Sequence, residues 1–311
     1  MTKEKPKTNR MKQFGHWLQY LVVACLMTVF RHLPFTFTCA CWRRFALLVC
    51  RLAPKLTRTV RNNIATTIGQ NWDHDRIERT VRETFINSGY FIAEFMHQRN
   101  FTASILERVE ILDRETLDRI RRNGGSIVLT SGHLCNWEIL GPLFEALGMR
   151  VHVLYKPMSN RFIDRYIKKY RAATAFPVST REWREKCPVV MNEGGVLGVI
   201  SDQDAGNHGI FVEFLGRPAA TFVGPAYFSV HFNAPVVFTA TQRTAPGHFR
   251  VTIEEIPRDE SITDPRAQID HLTHAWVKRL DRLVRETPAQ YFWFHKRWKT
   301  RPKNDTPHNE P

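Results

Sequence analysis

Two residues of this chain have types and spacing suited to a reaction: His133 and Glu138, five positions apart in the stretch Ser126 to Gly141, SIVLTSGHLCNWEILG. An imidazole near neutral pKa can take a proton from a hydroxyl as that oxygen attacks a carbonyl. A carboxylate on its other ring nitrogen fixes the tautomer and steadies the imidazolium. Five residues at about 100° each would leave the two side chains about 140° apart on one regular helix. The pair therefore meets if His133 is still in a loop and Glu138 is in the first helical turn, with Asn136 as the N-cap. The same residues also fit a histidine capping a helix start beside a solvated glutamate, and spacing alone does not separate the two.

Other candidate groups lie along the chain. Cys135 offers a thiol, but two residues' separation in a turn is poor geometry for a His–Cys pair, so it is read as a small buried side chain. Ser201-Asp202-Gln203-Asp204-Ala205-Gly206 puts two carboxylates on a loop. Such a D-x-D loop can hold a divalent metal, orient arginines and substrate hydroxyls, or be a polar turn; without a third acidic residue, metal is the lesser reading. Arg161, Arg165, Lys168, Lys169 and Arg171 recur at spacings of three and four, giving either a solvated helix face or, beside a cleft, a clamp for phosphate or carboxylate. Pro288 to Pro302, PAQYFWFHKRWKTRP, interleaves aromatic and basic residues. That composition suits a membrane interface with anionic headgroups or single-stranded nucleic acid, and the apolar N-terminus favours the membrane.

These residues need a frame. The patterning predicts strands over 126–130, 151–155, 196–201, 236–241 and 249–253, with a further one within 105–112. Helices are predicted over 58–68, 73–100, 115–122, 136–147, 160–173, 182–192 and 265–286. Strands alternating with helices imply an α/β domain whose central mixed or parallel sheet is flanked by helices. Sites in such folds lie beyond the carboxyl ends of the strands. His133 and Asp202 both directly follow a predicted strand, which allows them to share a cleft.

The chain has 311 residues and a formal net charge of +15, with pI near 9.9. That surplus favours polyanionic partners: nucleic acid, phosphorylated lipid or an acidic protein. The six cysteines form neither a zinc pattern nor a disulfide framework, so they are read as reduced thiols facing the cytoplasm. The N-terminus begins with the basic leader MTKEKPKTNRMK and runs into FGHWLQYLVVACLMTVF, with a second apolar segment from Phe35 to Leu52. No small-residue cleavage site follows, so the reading is a short span or deeply inserted helix followed by an interfacial one. Residues 1–54 form this membrane-associated segment and 55–311 the catalytic domain. Basic residues on both sides of the first run leave its orientation open.

Taken together, the motifs resemble the bacterial lipid A biosynthesis acyltransferase family, the late acyltransferases of the wider His-x4-Asp/Glu acyltransferase superfamily. The resemblance is carried by His133 and Glu138, by Tyr155-Lys156-Pro157 leading through Asn160 to Arg171, and by Asp202 and Asp204. Phe214-Leu215-Gly216-Arg217-Pro218-Ala219 and the closing QYFWFHKRWKTRP complete it. It implies His133 as general base and Glu138 as its partner, with Arg171, Asp202, Asp204, Lys156 and Arg217 serving the substrate. Lys156 stands where many members carry arginine. It implies transfer of a fatty acyl chain from an acyl carrier protein thioester to a hydroxyl of a phosphorylated glycolipid, a Kdo-lipid A precursor. The setting implied is the inner membrane, with the catalytic domain facing the cytoplasm, no cofactor and no metal. Another glycolipid or a lysophospholipid would serve the same chemistry as acceptor. A non-enzymatic lipid- or nucleic-acid-binding protein is the rival class, and the strand-turn-histidine motif and the lack of a helix-turn-helix or RNA-recognition signature stand against it.

Overall fold

The computed structural model describes residues 10–302, so residues 1–9 of the basic leader lie outside the described residues. The chain opens with α1 (Arg10–His32) and α2 (Phe35–Leu52). Pro34 separates them: it lacks an amide N–H, disfavours helix in the residue before it and stands at the N-cap of α2. α3 (Pro54–Ala65) follows, then the long α4 (His74–Phe101), whose N-cap Asp73 accepts from the Arg76 amide. α2 lies across α4 at Gly89, where a Cβ would stand 2.6 Å from the Trp42 carbonyl oxygen, so only glycine permits that approach.

The remaining elements alternate. They are α5 (Ile105–Arg108), β1 (Val109–Leu112), α6 (Arg114–Asn123), β2 (Ile127–Ser131), α7 (Leu140–Ala146), β3 (Val151–Tyr155), α8 (Arg161–Arg171), β4 (Phe176–Ser179), α9 (Trp183–Asn192) and β5 (Val196–Ile200). Then come β6 (Ile210–Phe214), β7 (Arg217–Thr221), α10 (Gly224–Phe232), β8 (Val236–Ala245), β9 (His248–Ile256) and α11 (Pro265–Glu286). The strand expected within 105–112 keeps only its second half, and the helix expected from 136 begins as a 3-10 turn at Trp137–Ile139. Neither β4, nor β6 and β7, nor α10 was anticipated. β4 is short and contains Pro177, tolerated because the strand is at the sheet edge. The β6–β7 hairpin turns through Leu215 and Gly216, both at positive φ, with only the glycine as a signal. α10 is apolar almost all round and shows no helical period.

Among the described residues, seven strands form one sheet in the order β1-β9-β8-β2-β5-β3-β4. Every neighbouring pair is parallel except β8 with β9, so the α/β class with a mixed sheet holds. Successive side chains of a strand face opposite sides. Val128, Leu197 and Val199 pack with Cys187 and Met191 of α9 and Phe228 of α10, whereas Ile127, Leu129 and Val151 pack with Leu143 and Phe144 of α7. β2 and β5 are central, parallel and adjacent, with Ser131 opposite Ile200. That register decides the site.

Candidate active site

Two residues beyond the Ser131–Ile200 pair, the two chains reach His133 and Asp202. The His133 amide donates to Asp202 Oδ2 at 2.8 Å and its Nδ1 donates to Oδ1 at 2.5 Å. Gly132 lies between strand and histidine at a point of contact: a Cβ there would stand 2.5 Å from Leu280 of α11 and 3.2 Å from Asp202 Oδ2. The expectation that Glu138 occupies the second ring nitrogen of His133 is corrected, because the carboxylate there is Asp202. Cys135 turns the chain at φ +52°, and the 3-10 turn that follows delivers Glu138 to α8 instead. There Arg171 Nε donates to Glu138 Oε2 at 2.9 Å and Nη2 donates to Oε1, a two-point ion pair. Asn136 stands at the N-cap position, but its side chain does not cap; it donates to Glu94 Oε2 at 3.0 Å.

The histidine loop is held from below by the C-terminal segment. Cys135 N donates to the Gln290 carbonyl at 2.8 Å, Phe292 N donates to the His133 carbonyl at 3.0 Å, and Leu134 pairs with Tyr291. The tail is fastened in turn by Asn63, whose side-chain amide donates to the Trp293 and His295 carbonyls. Arg297, buried, donates to the Gln203 and Ala220 carbonyls and to Thr221 Oγ1. This arrangement brings His295 beside His133, with ring centroids 5.2 Å apart in edge-to-face contact. A buried ion pair underlies the whole loop: Arg243 of β8 donates from Nε and Nη2 to the two Glu94 oxygens at 2.7 Å, and the Gly247 amide adds a third bond.

The electrostatics follow from these contacts. Burial raises the Asp202 carboxyl, but the His133 charge and hydrogen bonds, with His295 adding to them, outweigh it and hold the group well below the usual carboxylate range. Asp202 is thus an anion against Nδ1, and Nε2 is the ring nitrogen that this pair leaves over. His295 is pushed down to about 4 by burial, with His133 and Arg297 adding to the effect, so it is neutral at ordinary pH. Burial disfavours the Arg171 cation, yet Glu138 beside it more than offsets that and raises its pKa. The Cys135 thiol is pushed up to about 11 by burial, which agrees with a small buried side chain and not a nucleophile.

His133 opens onto a cavity of about 400 Å³ between the sheet and α7. Glu138, Arg171, Lys156 and Gln203 line it with His133, and Leu129, Phe144, Val151, Val153 and Gly198 supply apolar wall. A tunnel of that size, apolar with a few convergent polar groups, is the usual form of a small-molecule site. Of the expected site residues, His133, Glu138, Arg171 and Lys156 line the cavity, and Asp202 stands behind the histidine. Asp204 and Arg217 lie elsewhere: Asp204 accepts from the Thr300 amide and hydroxyl, and Arg217 donates to Thr66 Oγ1. The two carboxylates of the D-x-D loop thus diverge, one toward His133 and one toward the tail. Glu94, Gln98, Trp137 and Gly198 were missed. Glu94 left a signal, a carboxylate inside the apolar run FIAEFM on the inward side of α4; Gly198 left none.

The model of the family described as bacterial lipid A biosynthesis acyltransferase matches residues 3–300. The chain is 20% identical over 309 residues to the lipid A biosynthesis palmitoleoyltransferase of Escherichia coli (strain K12), covering 97% of this chain and 98% of that one. The lipid A biosynthesis acyltransferase of Shigella flexneri matches to the same extent. The match runs through His133, Asp202, Arg171 and the residues that line the cavity: this chain belongs to the bacterial lipid A biosynthesis acyltransferase family.

Proposed function

We propose that this protein transfers a fatty acyl chain from an acyl carrier protein thioester to a hydroxyl of a Kdo-linked lipid A precursor at the inner membrane. The observation that carries the reading is the His133–Asp202 pair at the mouth of an apolar tunnel, with the Arg171 guanidinium on the same cavity. The acceptor hydroxyl gives its proton to His133 Nε2 as its oxygen forms a bond to the thioester carbonyl carbon. The tetrahedral oxyanion is met by Arg171 N–H groups not engaged by Glu138. Collapse breaks the carbon–sulfur bond, and the proton passes from His133 to the departing thiolate. One well-placed oxyanion donor of this kind contributes roughly 3 to 4 kcal/mol. No covalent enzyme intermediate is needed.

Two features support the setting. α1 has 23 residues and a mean hydropathy of 1.2 over its most apolar window, only 6% of which is buried. At about 1.5 Å per residue it is long enough for the roughly 30 Å hydrocarbon layer. It is also fixed to the catalytic domain. Asn160 caps α8 through Oδ1, and its Nδ2 donates to the His16 carbonyl at 2.8 Å and to Gln19 Oε1 at 3.1 Å. The helix that carries Arg171 is therefore tied to the apolar helix, which suits an acceptor drawn from a bilayer. The exposed Arg161, Arg165 and Lys169 on α8 suit an acidic carrier protein or lipid phosphate.

The test is a transfer assay on membranes containing the protein, with labelled acyl carrier protein and the Kdo-linked precursor, wild type beside His133→Ala. A heavier, labelled lipid made only by the wild type is expected. Equal product from His133→Ala removes the base. No product with any acyl donor removes this acceptor.

A further inference from the structure

The tunnel has a depth that its walls define, and one of its wall positions carries no side chain. We propose that Gly198 lets the donor acyl chain pass the middle of the sheet and that Phe144 with Val151 ends it, so that these residues set which chain length is transferred. The inference rests on the acyltransferase reading above and concerns what that reaction selects.

The strands arrange the wall in layers. Alternate residues face the same side, so layers are spaced by two residues, about 6.6 Å. The layer nearest His133 contains Ser131 and Ile200, which are register partners. The next contains Leu129, Gly198 and Val153, with Gly198 the partner of Leu129 on one side and of Val153 on the other. Val151, partner of Val196, lies one layer deeper. α7 and the 3-10 turn before it run the opposite way: Glu138 is at the mouth and Phe144 is six residues on, about 9 Å deeper. Phe144 is 1% exposed and Val151 3%, so the tunnel is closed at that end.

At Gly198 a Cβ would stand 3.1 Å from Val151 Cγ1 and 3.5 Å from Val153 Cγ2. One methyl already presses on the floor, and anything larger must point into the tunnel between the mouth and the deepest layer. Glycine in a strand interior weakens the strand and is found where something must approach the backbone closely. Among the described residues no atom comes within 3 Å of that Cβ position, and the nearest is Val151 Cγ1. The missing side chain therefore makes room for Val151 and also leaves the wall between Leu129 and Val153 low enough for an unbranched hydrocarbon to pass.

The experiment presents an equimolar mixture of decanoyl, lauroyl, myristoyl and palmitoyl thioesters of one carrier protein to wild type, Gly198→Ala, Gly198→Val and Phe144→Leu, with the lipid products resolved by mass. Each methylene denied burial lowers transfer about fourfold, so one two-carbon step changes a product ratio about fifteenfold. The wild type is expected to favour one or two adjacent lengths, the Gly198 variants shorter ones and Phe144→Leu longer ones. An active wild type whose product ratios persist in both Gly198→Ala and Phe144→Leu, whatever the total turnover, overturns the proposal and leaves the acyltransferase reading in place. A wild type that transfers no chain removes both. If Gly198→Val does not fold, Gly198→Ala and Phe144→Leu still decide the matter, because they are expected to move the ratio in opposite directions.

Discussion

Asp202→Asn should nearly abolish turnover while leaving the protein folded. The carboxylate accepts two N–H bonds from the same residue, the His133 amide on one oxygen and Nδ1–H on the other. Asparagine keeps the shape but has one acceptor and one NH2. If its oxygen stays on the backbone amide, the NH2 faces Nδ1, the ring proton moves to Nε2, and the lone pair that takes the substrate proton is gone. If its oxygen stays on Nδ1–H, the NH2 confronts the backbone N–H at a position only 1% exposed. That unmade bond costs about 1 to 3 kcal/mol, so the unproductive tautomer is favoured about 5- to 150-fold. The imidazolium formed in the transition state also loses an adjacent anion, roughly 3 to 4 kcal/mol at an effective dielectric constant near 20. The combined expectation is a fall of about 10³ to 10⁵ in kcat, which brackets the effect of the same change in the serine protease triad. Because Asp202 does not line the tunnel, KM should change little. The assay is initial-rate acyl transfer with a melting curve as the check on folding. A folded Asp202→Asn protein keeping more than a tenth of wild-type kcat would refute the assignment. If Glu138→Gln abolished turnover while Asp202→Asn did not, the carboxylate that serves the base would be Glu138 after all.

Two further outcomes follow from the buried charges. Glu94→Gln leaves the Arg243 guanidinium, 4% exposed, without its counter-ion and should cost about 3 to 5 kcal/mol, read as a lowered unfolding midpoint; a change under 1 kcal/mol would mean that the pair contributes little. His295 has its pKa depressed from an unfolded value near 6.5 to about 4. Between those values the unfolded chain binds the proton and the folded one does not, so stability falls as pH drops from about 6.5 to about 4. The wild type should lose up to about 3 kcal/mol across that window relative to His295→Gln. Parallel melting curves of the two proteins against pH would contradict it.

Much of the fold could be read locally. A five-residue apolar run before a glycine and a histidine gives β2 and its loop, and the alternation of such runs with amphipathic stretches gives the α/β class. Elements without a period, such as α10, or too short to show one, such as β4, were not readable in that way. The parts list of the site was legible too: a histidine and an aspartate each directly after a strand, and an arginine at the end of a basic helix.

What the sequence determined by itself was therefore which residues stand at the carboxyl ends of strands, since strand, turn and cap preferences act over a few residues. Which of them touch was decided by tertiary structure. His133 has one carboxylate five residues away and another 69 residues away, and it takes the distant one because β2 and β5 are hydrogen-bonded neighbours in register. Glu94 and Arg243, 149 residues apart, meet only once α4 is laid against the β8–β9 end of the sheet. The tunnel is likewise the space left between α7 and one face of three strands, open at Gly198 because a missing side chain there becomes a passage only when Leu129 and Val153 stand on either side of it. Local sequence fixes the direction each side chain takes from its own backbone, while contacts between distant segments depend on strand order and register, which no short stretch of the chain contains.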